Sequence, residues 1–159
     1  MLPQLGPVGD DRRVTGRIYS VGYEGLTVDG LVELLTGARV AVVVDVRLNP
    51  SSRKPGFSRK RLSNRLAEAG IDYIHEKELG NPPDNRESFR NGDGIEGRTR
   101  LRSLLLDGHG AALARVVALA SQQRIAVLCV EREHHRCHRE VIADMVVEKN
   151  PDIEILQVL

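Results

Sequence analysis

Reactive side chains are concentrated in one short segment near the end of the chain. Residues 129–139 contain two cysteines, three histidines, two glutamates and three arginines. A thiolate that lies among imidazole and guanidinium groups is stabilised and becomes a good nucleophile. The pattern therefore predicts Cys137 as a nucleophile, with His138 beside it and Glu131 as its acid or base partner.

Two other interpretations of the cysteines stay open. Cys129 also suits a small buried position at a strand end, with Cys137 merely opening a helix. Zinc would require its ligands to converge on a tetrahedron, and the eight-residue spacing is not that of a zinc knuckle. Adjacent residues such as Cys137 and His138 would not easily reach one ion from a helix. We therefore predict no metal site, leave any cofactor unassigned, and expect a disulfide only in an oxidising compartment.

A second set of polar residues follows the apolar run from Val40 to Val46. Asp45 closes this run, and a buried carboxylate needs a partner. It is predicted either as a general base or as the structural partner of Arg47. Arg47 and Arg53 flank a proline-containing turn, where their guanidinium groups suit a phosphate anion.

The segment 47–61 carries six basic residues and no acid. A helix that begins after Ser58 would add its free backbone amides to this positive region. For the basic run 59–61, a solvated helix face is the alternative to anion binding.

The remaining pattern alternates short apolar runs with helical periodicity. Strands are predicted at 18–21, 40–46, 71–75, 125–130 and 153–158, and helices after Thr27, after Ser58 and at about 99–106, 110–122 and 137–148. This order indicates a single α/β domain over 17–159, after a loose tail at 1–16. We expect a three-layer, Rossmann-like fold, with a mostly parallel sheet of about five strands and helices on both faces. The polar segment 76–98 lacks periodicity and is predicted to be functional or mobile.

In such a sheet, ligands bind beyond the carboxyl ends of the strands. The catalytic residues predicted at that edge are Asp45, His75, Glu131, Cys137 and His138. The predicted substrate- or anion-binding residues are Tyr23, Glu24, Arg47, Ser52, Arg53 and Arg139.

Composition excludes several classes of protein. The chain has 159 residues and a net charge of +1, so general electrostatic binding to nucleic acid is disfavoured. An aromatic content of 3% argues against a wall of stacking rings for single strands. The turn GYEG at 22–25 after the first strand is not a GxGxxG fingerprint, and GxxxxGK[ST], HExxH and GxSxG do not occur. Apolar stretches are too short to span a bilayer, so no membrane contact is predicted. Two cysteines are too few for a disulfide-built fold, which favours a reducing cytoplasm, and the oligomeric state is left unknown.

The strand-end motifs resemble those of the DUF488 family, a bacterial and archaeal group without an established activity. The resemblance runs from Ile18 to the C-terminus and rests on SVGYEG at 20–25, VDVR at 44–47 with Pro50, Ser52, Arg53 and PGF at 55–57, YIH at 73–75 with ELG at 78–80, and LCVE at 128–131 with CHR at 137–139. It implies an α/β fold with a shared site built from these loops, and it supplies no substrate. Glu24 and Asn81 depart from the residues more usual in the family.

Together these features predict an enzyme that acts on a phosphate-bearing substrate, related to nucleotides or nucleic acid, at the strand ends. The alternative is a non-catalytic module that binds nucleic acid or a partner protein through the basic segment 47–61, with 76–98 ordering on binding.

Overall fold

A computed structural model describes residues 16–90 and 94–158. The described chain contains the strands β1 (Gly16–Gly22), β2 (Val42–Asp45), β3 (Asp72–His75), β4 (Arg124–Cys129) and β5 (Ile153–Val158). They form one parallel sheet in the order β3-β2-β4-β1-β5. Residues 1–15 of the predicted tail lie outside the described residues, and Gly16 is already the first residue of β1.

Helices cover both faces of the sheet. They are α1 (Val28–Gly37), α2 (Arg59–Glu68), α3 (Arg86–Arg90), α4 (Ile95–Asp107), α5 (Gly110–Gln122) and α6 (Arg139–Lys149). One core joins α1 and α2 to Val43 and Leu128, and the other joins α4, α5 and α6 to Val42 and Val44. Successive residues of β2 thus face opposite cores, as in a strand buried on both sides. The predicted three-layer α/β fold is confirmed.

The two predicted helix caps differ in the structure. Thr27 caps α1, because its hydroxyl accepts a hydrogen bond of 3.0 Å from the backbone amide of Gly30. Ser58 occupies the same position ahead of α2, but its side chain makes no capping hydrogen bond. The helix predicted to start at Cys137 begins instead at Arg139, which places the preceding residues in a loop.

The segment 76–98 has more helical structure than its sequence suggests. It contains two 3₁₀ turns, Lys77–Leu79 and Pro83–Asn85, followed by α3 and the start of α4. The buried Asn85 amide holds the segment together by donating to Asn81 Oδ1 at 2.9 Å and to Gly97 O at 3.0 Å. The segment is held by side-chain amide hydrogen bonds and contains only very short helical turns. Its sequence therefore shows no apolar periodicity of the kind that marks a long helix.

The central strand β4 determines where a ligand can bind. Its neighbours β1 and β2 lead to α1 and α2 on one face of the sheet, whereas β4 leads to α6 on the other face. Loops that leave adjacent parallel strands toward opposite faces open a crevice at the carboxyl ends.

No single helix of the described residues is long and apolar enough to cross a membrane. Helices α4 and α5 pass that test only as a pair, bent by 91° at the break between them.

Candidate active site

A cavity of about 210 Å³ opens at the carboxyl ends of β1, β2 and β4. Its walls come from the loops after these strands and from the segment between β3 and α4. The lining residues are Tyr23, Arg47, Leu48, Asn49, Ser51, Asn81, Arg86, Phe89, Arg90, Cys129, Val130, Glu131, Arg136, Cys137 and His138. The cavity therefore lies in the predicted place, at the edge where the strands end.

Two thiols and an imidazole meet at one wall of the cavity. The two Sγ atoms of Cys129 and Cys137 and a ring nitrogen of His138 all lie within 4.8 Å of one another. His138 Nδ1 is 3.5 Å from Cys137 Sγ and 4.0 Å from Cys129 Sγ. All three side chains are buried, and both cysteines are free thiols. We call these three residues the sulfur–imidazole cluster.

The loop between β4 and α6 brings the cluster together. Strand β4 ends at Cys129, and a 3₁₀ turn at His134–Arg136 then returns the chain to the sheet edge. Cys137 has extended backbone (φ −121°, ψ 149°) and precedes α6. The prediction that a helix starts at Cys137 is therefore wrong, and the argument that both residues would not easily reach one ion from a helix does not apply.

Gly22 at the end of β1 allows this loop to lie against the sheet. A Cβ atom at position 22 would come within 1.8 Å of the carbonyl oxygen of Glu131. The neighbouring amides of Tyr23 and Glu24 continue the strand pairing, by donating to Cys129 O at 3.1 Å and to Val130 O at 2.9 Å. Glycine is thus required here by close backbone approach.

The backbone carbonyl that follows β2 orients the His138 ring. Its Nε2 lies 2.9 Å from the backbone oxygen of Val46, directly after β2. Because a carbonyl oxygen only accepts, Nε2 carries a proton and donates it. Nδ1 therefore faces the two sulfurs.

The surroundings of the cluster favour the thiolate form of Cys137. Burial by itself raises the pKa of Cys137, but a hydrogen bond with Cys129 and the positive charges of His138 and Arg139 outweigh burial, so the pKa lies well below its usual value. For His138, burial lowers the pKa, yet the Cys137 charge more than offsets it and raises the pKa. The hydrogen bond to Cys137 and burial both raise the pKa of Cys129, which stays a thiol. These shifts favour a thiolate–imidazolium pair beside a neutral thiol.

Glu131 adds a carboxyl group to the same wall. Its Oε2 lies 3.4 Å from Cys129 Sγ. Burial, together with the negative charge of Cys137, raises the pKa of this carboxyl above its ordinary value. A raised pKa makes the protonated form of a carboxyl more available as a proton donor.

Arg139 lies behind this wall and is not among the residues that line the cavity. Its side chain is 1% exposed, and Nη2 donates to Glu131 O at 2.5 Å. Nε and Nη1 are buried without a hydrogen-bond partner. Its charge lowers the pKa of Cys137, so Arg139 supports the thiolate from behind. The predicted contact between Arg139 and a substrate anion is not supported, because the Arg139 side chain does not line the cavity.

Asp45 and Arg47 form a buried structural pair. Arg47 donates to Asp45 through Nε at 2.9 Å and Nη2 at 2.7 Å, and to Phe57 O through Nη1 at 2.7 Å. Tyr73 donates its hydroxyl proton to Asp45 Oδ2 at 2.5 Å. The structure shows Asp45 as the structural partner of Arg47. Arg47 lines the cavity, but its guanidinium is already hydrogen-bonded to Asp45 and to the Phe57 carbonyl.

Four other predicted site residues lie outside the cavity lining. His75 Nε2 lies 2.7 Å from the carbonyl oxygen of Arg47. Ser52 accepts a hydrogen bond of 3.2 Å from the amide of Lys54, while Glu24 and Arg53 are exposed to solvent. The basic residues 59–61 are also exposed on α2, in agreement with a solvated helix face.

Three arginines that the sequence did not single out border the cavity. Arg86 and Arg90 come from α3, and Arg136 comes from the turn before Cys137. We call them the arginine rim. The signal that pointed toward two of them was the length and polarity of the segment 76–98 inside a small domain.

The arrangement offers two kinds of chemistry at one place. The Cys137 thiolate is a nucleophile and also a strong ligand for soft metal ions. Cys129, Cys137 and His138 are the residues of the described chain that could hold a metal. The arginine rim supplies positive charge for an anion.

Comparison with known proteins places the chain in a family. No match was found among curated proteins or among solved structures. The family model described as "Domain of unknown function DUF488" matches residues 27–146, which include β2, β3, β4 and the whole sulfur–imidazole cluster. The resemblance inferred from the strand-end motifs is thereby confirmed, and the chain belongs to the DUF488 family.

Proposed function

We propose that the protein is an enzyme that acts on a small phosphate-bearing substrate, such as a nucleotide, bound in this cavity. One observation carries the proposal. The arginine rim and the sulfur–imidazole cluster line the same cavity, with the Glu131 carboxyl among them. A binding module has no need of a thiolate and a carboxyl of raised pKa beside its anion site.

The arginine rim is suited to phosphate. Arg90 is exposed, and Arg136 is 66% exposed while its Nε lies 3.1 Å from Glu133 Oε2. Arg86 is half-buried and donates to Asn81 O at 3.4 Å. Guanidinium groups bind phosphate oxygens in pairs of parallel hydrogen bonds, and exposed ones do so with little cost in desolvation.

The size of the cavity limits the substrate. Its volume of about 210 Å³ is below the roughly 300–1,000 Å³ of pockets that enclose a drug-sized ligand. It can enclose a phosphate and the group next to it, while the rest of the molecule remains outside. This favours a small phosphate ester over a nucleic-acid duplex.

Glu131 is assigned the proton transfer. In its protonated form it can donate a proton to a leaving group, and in its ionised form it can accept one from an attacking group. Its position beside Cys129 places it within the wall that a bound substrate would face.

Ligand binding tests the anion site directly. Nucleoside monophosphates should raise the melting temperature of the protein, whereas the same nucleosides without phosphate should not. Arg90→Ala and Arg136→Ala should each weaken binding by about 10- to 100-fold, the equivalent of about 1.5–3 kcal/mol for a hydrogen bond to a charged group. Arg53→Ala removes an exposed arginine outside the cavity and is the matched control.

The outcomes separate an enzyme from a binding module. Equal weakening by Arg53→Ala, or binding of oligonucleotides only with a steep salt dependence, would favour the basic segment 47–61 and refute the cavity. Once turnover is found with a bound phosphate ester, Glu131→Gln should abolish it and leave binding within about 3-fold of wild type.

A further inference from the structure

We propose that Cys129, Cys137 and His138 form a binding site for one Zn²⁺ ion in the wall of the cavity. This proposal rests on the sulfur–imidazole cluster, which the proposed function also uses, but it does not depend on the arginine rim or on a phosphate-bearing substrate.

The distances within the cluster match those between zinc ligands. With Zn–S near 2.3 Å and Zn–N near 2.0–2.1 Å, tetrahedral ligands lie about 3.6 Å apart for a sulfur and a nitrogen and about 3.8 Å apart for two sulfurs. His138 Nδ1 lies 3.5 Å from Cys137 Sγ and 4.0 Å from Cys129 Sγ, and no pair of the three atoms exceeds 4.8 Å. An ion can therefore enter after side-chain shifts of a few tenths of an ångström to about an ångström.

The His138 ring supplies a second, independent observation. Its Nε2–H donates to Val46 O at 2.9 Å, and the two residues are 92 positions apart in the chain. Histidines that bind metals almost always donate their other ring N–H to a carbonyl or carboxylate in this way, which fixes the tautomer and aims the free nitrogen at the metal. Here the aimed atom is Nδ1, and the two sulfurs are its neighbours.

The donor set selects the ion. Two thiolates and an imidazole suit zinc, whereas magnesium and calcium prefer oxygen ligands. On binding, the ion displaces the protons of the Cys129 thiol and of His138 Nδ1, because both ligands must be deprotonated. Cys137 then acts as a ligand, and its electron pair is no longer available for attack on a substrate.

Three protein ligands leave one position of the tetrahedron for water or substrate, as in catalytic zinc sites. All three ligand residues line the cavity, so this position opens into it. Glu131 belongs to the same wall of the cavity, with its Oε2 3.4 Å from Cys129 Sγ. The cluster is therefore inferred to be a catalytic metal site, and not a closed structural one.

Cobalt substitution provides the test. The full chain is stripped of metal with a chelator, kept reduced with a phosphine, and titrated with Co²⁺, which reports thiolate ligation by charge-transfer absorption and tetrahedral geometry by intense visible bands. We expect one Co²⁺ per chain and its displacement by Zn²⁺. Cys129→Ser and Cys137→Ser should lose charge-transfer intensity. His138→Gln should weaken Zn²⁺ binding by at least about 100-fold, because losing a residue that only hydrogen-bonds to a metal ligand already costs about 10- to 100-fold.

His135→Gln is the matched control, because His135 lies in the same loop but is 71% exposed and contacts Glu140 instead. It should bind Co²⁺ like wild type. Absence of thiolate absorption in the reduced wild-type chain, or equal bands in His138→Gln and His135→Gln, would overturn the proposal.

Should the variants fail to fold, the metal content of wild-type protein isolated from zinc-supplemented cells decides: about one zinc per chain supports the site, and less than about 0.1 refutes it. Arg90→Ala should keep the cobalt bands, so failure of the phosphate site and failure of the metal site are distinguishable.

Discussion

Replacement of Arg47 by methionine tests whether the Asp45–Arg47 pair holds the end of β2 in place. Methionine keeps most of the length of the side chain but removes the guanidinium. Asp45 is 0% exposed and would then keep only the Tyr73 hydroxyl and the backbone amide of residue 47 as donors. A buried carboxylate would have lost its counter-charge.

The size of the effect follows from this burial. Breaking a buried ion pair by removing one partner costs about 3–5 kcal/mol, because the remaining charge is left uncompensated. In a protein of this length, each kcal/mol lowers the melting temperature by about 2–4 °C. Arg47→Met should therefore lower it by about 6–20 °C. The Phe57 carbonyl, which also accepts from Arg47, would lose its donor as well.

Urea denaturation followed by circular dichroism gives the free energy of unfolding for each variant. Arg53→Met is the control, since Arg53 is exposed, and it should stay within about 0.5 kcal/mol of wild type. Asp45→Asn combined with Arg47→Met removes the orphaned charge and should recover part of the loss. If Arg47→Met is too unstable to measure, Arg47→Lys should show an intermediate loss, because lysine keeps the charge but not the forked donors.

A loss of less than about 1 kcal/mol in Arg47→Met would refute this reasoning. Arg47 would then not be committed to the fold, and its guanidinium would be available to bind a substrate anion, as first predicted from the sequence.

Two further predictions concern stability. His134 is hydrogen-bonded to Ser20 Oγ at 2.7 Å, and burial lowers its pKa. The unfolded chain therefore binds more protons at this residue than the folded chain does. The contribution of His134 to stability is accordingly lost as the pH falls below about 6.5. The stability difference between wild type and His134→Gln should accordingly shrink between pH 8 and pH 5, measured by urea denaturation. Gly22→Ala should cost at least about 2 kcal/mol, because its Cβ would come within 1.8 Å of Glu131 O and displace the loop.

Each of these has its own check. A pH-independent difference between wild type and His134→Gln would contradict the protonation argument. Gly37→Ala is the control for Gly22→Ala, because a Cβ at the end of α1 would meet nothing within 4 Å, and it should be neutral or stabilising by up to about 1 kcal/mol. Equal unfolding free energies for the two alanine variants would show that the loop after β4 does not depend on Gly22.

Much of the fold was predictable from local patterns. The run Val40–Val46 reads as a strand buried on both faces, and it contains β2, whose residues face both cores. Thr27 marks the start of α1 because a hydroxyl at that position caps a helix whatever surrounds it. These features depend on residues close in sequence. The short turns of 76–98 were not predictable, since they depend on contacts such as that of Asn85 with Gly97.

The location of the cavity was also predictable, because parallel strands end at one edge and the polar residues of this chain follow those ends. Tyr23, Glu131, Cys137 and His138 were expected there, and all of them line the cavity. Arg86 and Arg90 were not expected there, since no local pattern tells which polar loop folds over a sheet edge.

The sequence by itself determined at which edge of the sheet the site lies and what chemistry the side chains at the strand ends permit. Only the tertiary structure decided how they are paired. Asp45 is occupied by Arg47 and Tyr73, while Cys129 and Cys137, eight residues apart, meet at His138. The reason is physical: whether a carboxylate or thiol is available depends on the donors and charges within a few ångströms, and these come from strands and loops that are distant in the chain.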